Sequence, residues 1–451
     1  MKHYDLLVAG GDAAGMSAAS QARRIDPDMT IGVMERGEHV SYAACGMPYY
    51  LSGDIDDHRS LFAIDPEKFI NERNIDIKKH HEVISANFDN KQITVQTTDG
   101  KEDIRYGKLV IATGARALRP PIEGLDSEGV VTLRNMDDLL QIDSILNEKK
   151  PASCAIIGAG YIGLEMAESF RKLDMDVTIV EMAPAPGPAF SPSVQELVTK
   201  TLKENNVALQ MNTTVRSIER KGDSLTVNHD RGSLEVDLVL VSVGIRPATG
   251  FLENSGLALM ENGAVMVNER SETNIPDVYS AGDCASVHHL VLEKDVYFPL
   301  GSTANKQGRV AGLQAAGVSD ERFPGIVGSQ FVKVFDLEIG KTGLNAGDAK
   351  KEGMDASSEN MKWRSRAGYY PGGQPLTLTM TVRLSDNRII GCEIAGTDGA
   401  AHRMNTAAAA ITSGMTVHEL AYCDLGYAPP FSPVWDPVNA VAQKFLKRSK
   451  K

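Results

Sequence analysis

No stretch of this sequence approaches the roughly 18 consecutive apolar residues that a membrane helix needs. The N-terminal Met1-Lys2-His3-Tyr4-Asp5 also lacks the charge pattern of a secretory signal. The expectation is a cytoplasmic protein with no membrane partner. Positive charge is in deficit: 47 Lys and Arg against 59 Asp and Glu give a formal net charge of −12. That balance argues against binding to nucleic acid or anionic membranes, while leaving room for a local basic pocket. Cysteine is sparse and scattered. Cys45, Cys154, Cys284, Cys392 and Cys423 form no C-x-x-C pair and no metal-ligand spacing. That excludes a disulfide-stapled secreted fold and a zinc site, and it points to a reducing compartment.

What is present is a repeated pattern. The run Leu6-Leu7-Val8-Ala9 ends in Gly10-Gly11-Asp12-Ala13-Ala14-Gly15, an Ala-rich helical stretch follows through Arg24, and the apolar run 30–34 ends in Glu35. Strand, glycine turn, helix, strand and an acidic residue 20 positions past the last glycine make up a dinucleotide site. Glycine permits the tight turn and close helix packing, the helix N-terminus receives a pyrophosphate, and the carboxylate accepts ribose hydroxyls. The unit recurs at Cys154-Ala155-Ile156-Ile157, then Gly158-Ala159-Gly160-Tyr161-Ile162-Gly163, a helix, and a strand ending in Glu181. One such loop is weak evidence; two with matching glutamates predict two dinucleotide sites. Asp12 stands where the first loop would carry its middle glycine. A carboxylate facing a pyrophosphate is unfavourable, so its side chain is expected to turn away.

Two further apolar runs close on glycine turns, one at Thr113-Gly114 and one at Val243-Gly244, and both read as strands returning to a nucleotide domain. The segment 273–283, ending in Ser280-Ala281-Gly282-Asp283, resembles the second FAD fingerprint of two-dinucleotide flavoproteins. The predicted fold is therefore α/β, with two Rossmann-like dinucleotide-binding domains. A discontinuous FAD domain spans 1–120 and 245–325, an NAD(P) domain at 121–244 is inserted in it, and a C-terminal α+β domain, which in the flavoproteins this pattern resembles makes the homodimer, covers 326–451. The last is expected to contain alternating strands such as 376–382 and a helix of small residues at 407–411. Asp283 reads either as a ligand of the ribityl chain or as a helix N-cap before Cys284.

After Glu35 and Arg36 comes Ser41-Tyr42-Ala43-Ala44-Cys45-Gly46-Met47-Pro48-Tyr49-Tyr50. Cys45 is expected to begin a helix at the flavin face, where the helix N-terminus and an electron-poor ring favour thiolate, the form that attacks sulfur. Five positions on, where dithiol reductases carry a second cysteine, stands Tyr50. A lone cysteine cannot close an internal disulfide, so it holds oxidised sulfur as a mixed disulfide, persulfide or sulfenate. This segment and the C-terminal Tyr427-Ala428-Pro429-Pro430-Phe431-Ser432 with Asp436-Pro437-Val438-Asn439 carry a resemblance over essentially the whole chain. It resembles the single-cysteine branch of the FAD-dependent pyridine nucleotide-disulfide oxidoreductases, in particular coenzyme A-disulfide reductases and NAD(P)H-dependent persulfide or polysulfide reductases.

The resemblance implies a homodimeric reductase that passes electrons from NAD(P)H through FAD to Cys45 and on to a small disulfide, persulfide or polysulfide, coenzyme A types foremost. FAD contacts would fall on Gly10, Asp12, Ala13, Ala14, Gly15, Glu35, Arg36, Thr113, Gly114 and Asp283. NAD contacts would fall on Gly158, Gly160, Tyr161, Ile162, Gly163, Glu165, Glu181 and Gly244, with Tyr161 covering the flavin where nicotinamide docks. Tyr427 and Tyr369 would reach the partner subunit's flavin and thiol as proton donors, or else be interface aromatics packed for burial. Ser17, Gln21, Arg24, Ser41 and Arg73 would contact substrate, the arginines either pairing with phosphates or remaining solvated charges.

Departures from the pattern are Ala44, where those enzymes usually have asparagine, and Trp435, where they have a basic residue. NADH is the expected reductant and NADPH a possible one, because Glu181 repels a 2′-phosphate and Met182-Ala183-Pro184 brings no basic residue to receive it. No rhodanese domain is expected beyond residue 451, so a persulfide is expected to arrive free or from a partner. Two other readings stay open. One is an NADH oxidase, disfavoured by Ala13 where that branch usually has histidine and by Pro48, which it lacks. The other is a flavoprotein redox sensor.

Overall fold

The computed structural model describes residues 2–318 and 320–448. Its first sheet has seven strands. The strand Lys2–Ala9 lies between Ile31–Met34 and Gly100–Ile111, all parallel, and the sheet extends to Ile75–Lys78 on one side and Val278–Ser280 on the other. These central strands are buried on both faces, which is why they read as unbroken apolar runs. An antiparallel hairpin, Glu82–Asn87 with Gln92–Thr97, pairs with the outer half of Gly100–Ile111. The helices Ala13–Ile25 and Gly301–Ala315 pack closely on this sheet. A Cβ on Gly308 or Gly312 would lie 2.3 Å from the carbonyl oxygen of Ala14 or Ala18. That approach sets the polar faces of the two helices side by side, with Ser17 donating to Asn305 at 2.9 Å.

The chain leaves this domain through Ala115–Ala117 and re-enters through Ile245–Pro247, and the two segments pair antiparallel. Between them lies a five-stranded parallel sheet in the order Val207–Met211, Asp176–Glu181, Ser153–Ile157, Leu238–Val241, Val130–Val131. A three-stranded antiparallel sheet, Val215–Lys221, Ser224–His229 and Gly232–Val236, packs on it. The molecule thus has two Rossmann-type domains.

A distinct third domain follows, a five-stranded antiparallel sheet covered by the helices Ala400–Thr412 and Pro437–Arg448. In its strand Pro375–Arg383, Leu376, Leu378, Met380 and Val382 enter the core with those helices. The alternation does not mark a solvent face, because Thr377, Thr379 and Thr381 are buried too. Thr379 meets Ser193 of the second Rossmann-type domain at 3.3 Å. Buried Glu168 fastens the same two domains: it accepts from the Phe335 amide at 2.7 Å and pairs with Lys172 at 3.0 Å and with Lys333. Among the described residues, no helix is long and apolar enough to cross a membrane.

Candidate active site at the junction of the two nucleotide domains

The two glycine loops are built alike. Gly10 and Gly158 adopt φ of +107° and +103°, where glycine is favoured, and donate to Met34 and Val180 at 2.8 and 2.9 Å. Gly15 and Gly163 allow helix to touch strand: a Cβ there would lie 1.9 and 2.1 Å from the carbonyl oxygens of Gly10 and Gly158. Glu35 accepts from the Gly11 and Gly37 amides at 2.7 Å each, and Glu181 accepts from Ala159 at 2.7 Å and Ala183 at 2.8 Å. Each carboxylate is thus fixed at the C-terminal edge of its sheet, where ribose hydroxyls would donate to it. Gly160 and Gly244 border open space, with no heavy atom within 4 Å of an added Cβ. Ala13 and Ala14 open the first helix, while Arg36 and Ile162 are exposed.

Asp12 lies beside the Tyr42 and Ala13 amides and the Arg134 guanidinium; burial pushes its carboxyl up to about 6 against the pull of Arg134. Asp283 accepts from the Arg134 guanidinium at 2.7 Å, and burial raises its pKa. No helix begins at Cys284, which removes the N-cap alternative for Asp283. One oxygen of Asp12, the Thr113 hydroxyl and Arg134 Nε are buried without a protein partner. Arg134 also lies 3.7 Å from where a Gly114 Cβ would stand. Asp12, Arg134 and Asp283 form one charged cluster, and its orphaned polar atoms are ones that a bound FAD would satisfy, so these residues fit that group. Arg134 escaped the sequence reading, because no motif surrounds it and it reaches Asp283 across 149 positions.

Cys45 lies in a 3₁₀ turn, Ala44–Gly46, ahead of the five-residue helix Met47–Leu51, rather than at the start of a longer helix. Ser41 holds φ of +55° and donates its amide to Gly11, which ties the redox segment to the first glycine loop. The Cys45 side chain is exposed yet crowded. Desolvation pushes the thiol pKa up, and Glu165, Asp283 and Asp12 push it further while Arg134 opposes. In the protein alone, burial and then the surrounding carboxylates thus oppose the thiolate that a helix N-terminus and a flavin would favour. Cys154, Cys284 and Cys392 are buried and Cys423 half-buried, all free. Tyr50 packs edge-on against His58.

From the nicotinamide domain, the Tyr161 hydroxyl bonds Gln330 and its ring meets Phe190 edge-on at 5.4 Å. Glu165, one turn later, accepts from the Tyr49 hydroxyl at 3.2 Å, and burial raises it to about 7. On the first helix, Gln21 accepts from Arg24 at 3.1 Å and from Arg309 at 3.3 Å. Ser17, Gln21, Arg24, Asn305 and Arg309 thereby share one surface; the last two were not singled out from sequence. Arg73 stands slightly apart, donating to Ser20 at 2.8 Å with its guanidinium 4.9 Å from the Phe69 ring. Tyr369 and Tyr427 are brought together, hydroxyl to hydroxyl at 2.7 Å, exposed on the C-terminal domain. The Trp435 carbonyl accepts from Trp363 at 3.2 Å.

Residues 4–308 match the pyridine nucleotide-disulphide oxidoreductase family and residues 329–437 its dimerisation domain. The chain belongs to this family of FAD- and NAD(P)H-linked oxidoreductases. It is 37% identical over 439 residues to an NAD(P)H coenzyme A polysulfide/persulfide reductase of Pyrococcus horikoshii, covering 97% of each chain. It is 34% identical to a protein named NADH oxidase from Methanocaldococcus jannaschii, covering 98% of each. Among solved structures, an NAD-dependent persulfide reductase from A. fulgidus superposes with a TM-score of 0.95 at 36% identity, covering 99% of this chain and 83% of that one.

Proposed function

We propose that this protein reduces a small disulfide or persulfide of the coenzyme A type at Cys45, with NADH as the preferred reductant and a homodimer as the working unit. The observation that carries this reading is an exposed sulfur flanked by Asp12 and Asp283 of one nucleotide domain and Glu165 of the other, with no disulfide made to another cysteine. Thiolate at Cys45 attacks one substrate sulfur; the S–S bond breaks, a mixed disulfide forms, and the leaving thiolate takes a proton. An electron pair then cleaves the mixed disulfide, so that one disulfide, one NADH and one proton give two thiols and NAD⁺. FAD, which Glu35, Thr113 and Asp283 would hold, would supply the two-electron relay between nicotinamide and sulfur.

Tyr427 and Tyr369 act from the partner subunit as proton donors, and Tyr161 covers the nicotinamide position. Ser17, Gln21, Arg24, Ser41 and Arg73 bind the substrate's polar part. A partner is supported by the exposed aromatics of the C-terminal domain, where Phe431 and Tyr369 are 77% and 76% exposed. A cytoplasmic location fits five free thiols.

Turnover with coenzyme A disulfide, coenzyme A persulfide, polysulfide, glutathione disulfide and air alone, compared side by side, tests the proposal. A coenzyme A substrate should give the highest kcat/KM; NADH consumption wholly accounted for by dioxygen would replace it with an oxidase. Glu181, already anchored by two amides, repels a 2′-phosphate, so kcat/KM should favour NADH over NADPH by about tenfold or more. Equal efficiencies would refute the assignment. As isolated without reductant, Cys45 should carry a small-thiol or sulfur adduct, visible as a mass lost on reduction. A peptide joining Cys45 to Cys423 of a second copy would instead show a dithiol enzyme.

A further inference from the structure

The redox segment is fastened to the nicotinamide-domain helix Tyr161–Lys172 at successive turns. Tyr49 donates to Glu165 at 3.2 Å, Ser169 donates to the Pro48 carbonyl at 2.8 Å, and Lys172 pairs with Asp54 at 2.6 Å. The first of these ties is ionisable and stands nearest the chemistry. Glu165 is the foremost charged influence on Cys45, and Tyr49 feels both Glu165 and Cys45. Neither residue is needed to close the fold there, because Ser169 and Lys172 already join the same two segments.

We infer that Glu165, aimed by Tyr49, is a positioning residue that governs the charge of Cys45: the thiolate forms when the Glu165 carboxyl takes up a proton. Each group exchanges its proton with solvent, the Cys45 S–H bond breaking more readily once Glu165 is neutral, with no change in oxidation state. The inference rests on Cys45 being the redox sulfur.

The electrostatics agree in sign. Burial and Glu168 raise Glu165 to about 7, and the Tyr49 hydrogen bond opposes them by stabilising the carboxylate. Glu168 faces the pair from the same helix with its charge shared between Lys172 and Lys333. From the FAD side, Asp283 and Asp12 disfavour the thiolate and Arg134 favours it. Below the Glu165 pKa the carboxyl is neutral and its opposition to the thiolate is absent; above it the carboxylate raises the thiol.

The test is the rate of alkylation of Cys45 by iodoacetamide in the reduced holoenzyme, read by peptide mass from pH 5.5 to 9. This readout needs no substrate and fails separately from the proposed function. Glu165→Gln should react about three- to tenfold faster than wild type at pH 8 and converge on it near pH 5.5. Tyr49→Phe should react faster in a window around pH 7 and match wild type on either side, because the carboxyl loses its hydrogen bond and stays neutral to higher pH. Ser169→Ala, which loosens the same contact without touching the ionisable pair, should leave the profile in place. Superimposable profiles for Glu165→Gln and wild type, or an equal shift from Ser169→Ala, would overturn the inference.

Discussion

Cys45→Ser is expected to lower disulfide or persulfide turnover by about 10³-fold or more, while the variant keeps FAD and NADH still bleaches it. The serine hydroxyl neither ionises near neutral pH nor forms a covalent link that an electron pair can cleave. No other sulfur can stand in: Cys154, Cys284 and Cys392 are buried in their own domains, and Cys423 is half-buried in the third. FAD should be retained because the groups proposed to hold it, Asp12, Thr113, Arg134 and Asp283, make no hydrogen bond to Cys45. An exposed single-atom change should leave stability within about 0.5 kcal/mol. Anaerobic titration with NADH at the flavin absorbance band, beside steady-state turnover, separates the two halves. Full turnover in the serine variant would move the chemistry away from the thiol.

Where information is local, the sequence disclosed it. Glu35 and Glu181 follow their glycine loops at short range, and the fold gives both the same pair of amide donors. The buried parallel strands announced themselves as apolar runs. Groups arriving from far along the chain left no such trace. Arg134 reaches Asp283, Tyr49 reaches Glu165 across 116 positions, and Asn305 meets Ser17 across 288. The same distinction holds at Cys45. A local argument sees a helix N-terminus, whereas burial first, and then three carboxylates from three separate segments, push the thiol up. The alternation at 376–382 likewise gave no sign that Thr379 would meet Ser193 of another domain.

Gly160→Ala and Gly163→Ala, three residues apart in one loop, are expected to fail in different ways. At Gly163 a Cβ would lie 2.1 Å from the Gly158 carbonyl oxygen and 2.9 Å from the Ser242 hydroxyl. The nearer contact is backbone, so helix and strand must separate. The cost is expected at the upper end of overpacking, about 3 kcal/mol, seen as a lower Tm and an impaired nicotinamide domain. Gly160 has φ of −77°, open to any residue, and nothing within 4 Å of an added Cβ. Its alanine variant should therefore melt within about 0.5 kcal/mol of wild type. The methyl group instead enters the space left for the nucleotide, so KM for NADH should rise about tenfold while FAD content stays unchanged. The first loop already shows that this position tolerates a side chain, since Asp12 stands there, whereas Gly15, the counterpart of Gly163, leaves only 1.9 Å. Thermal melts and NADH kinetics on both variants decide the matter: a destabilised Gly160→Ala with a normal KM would show that the open space beside the loop is not where the nicotinamide nucleotide approaches.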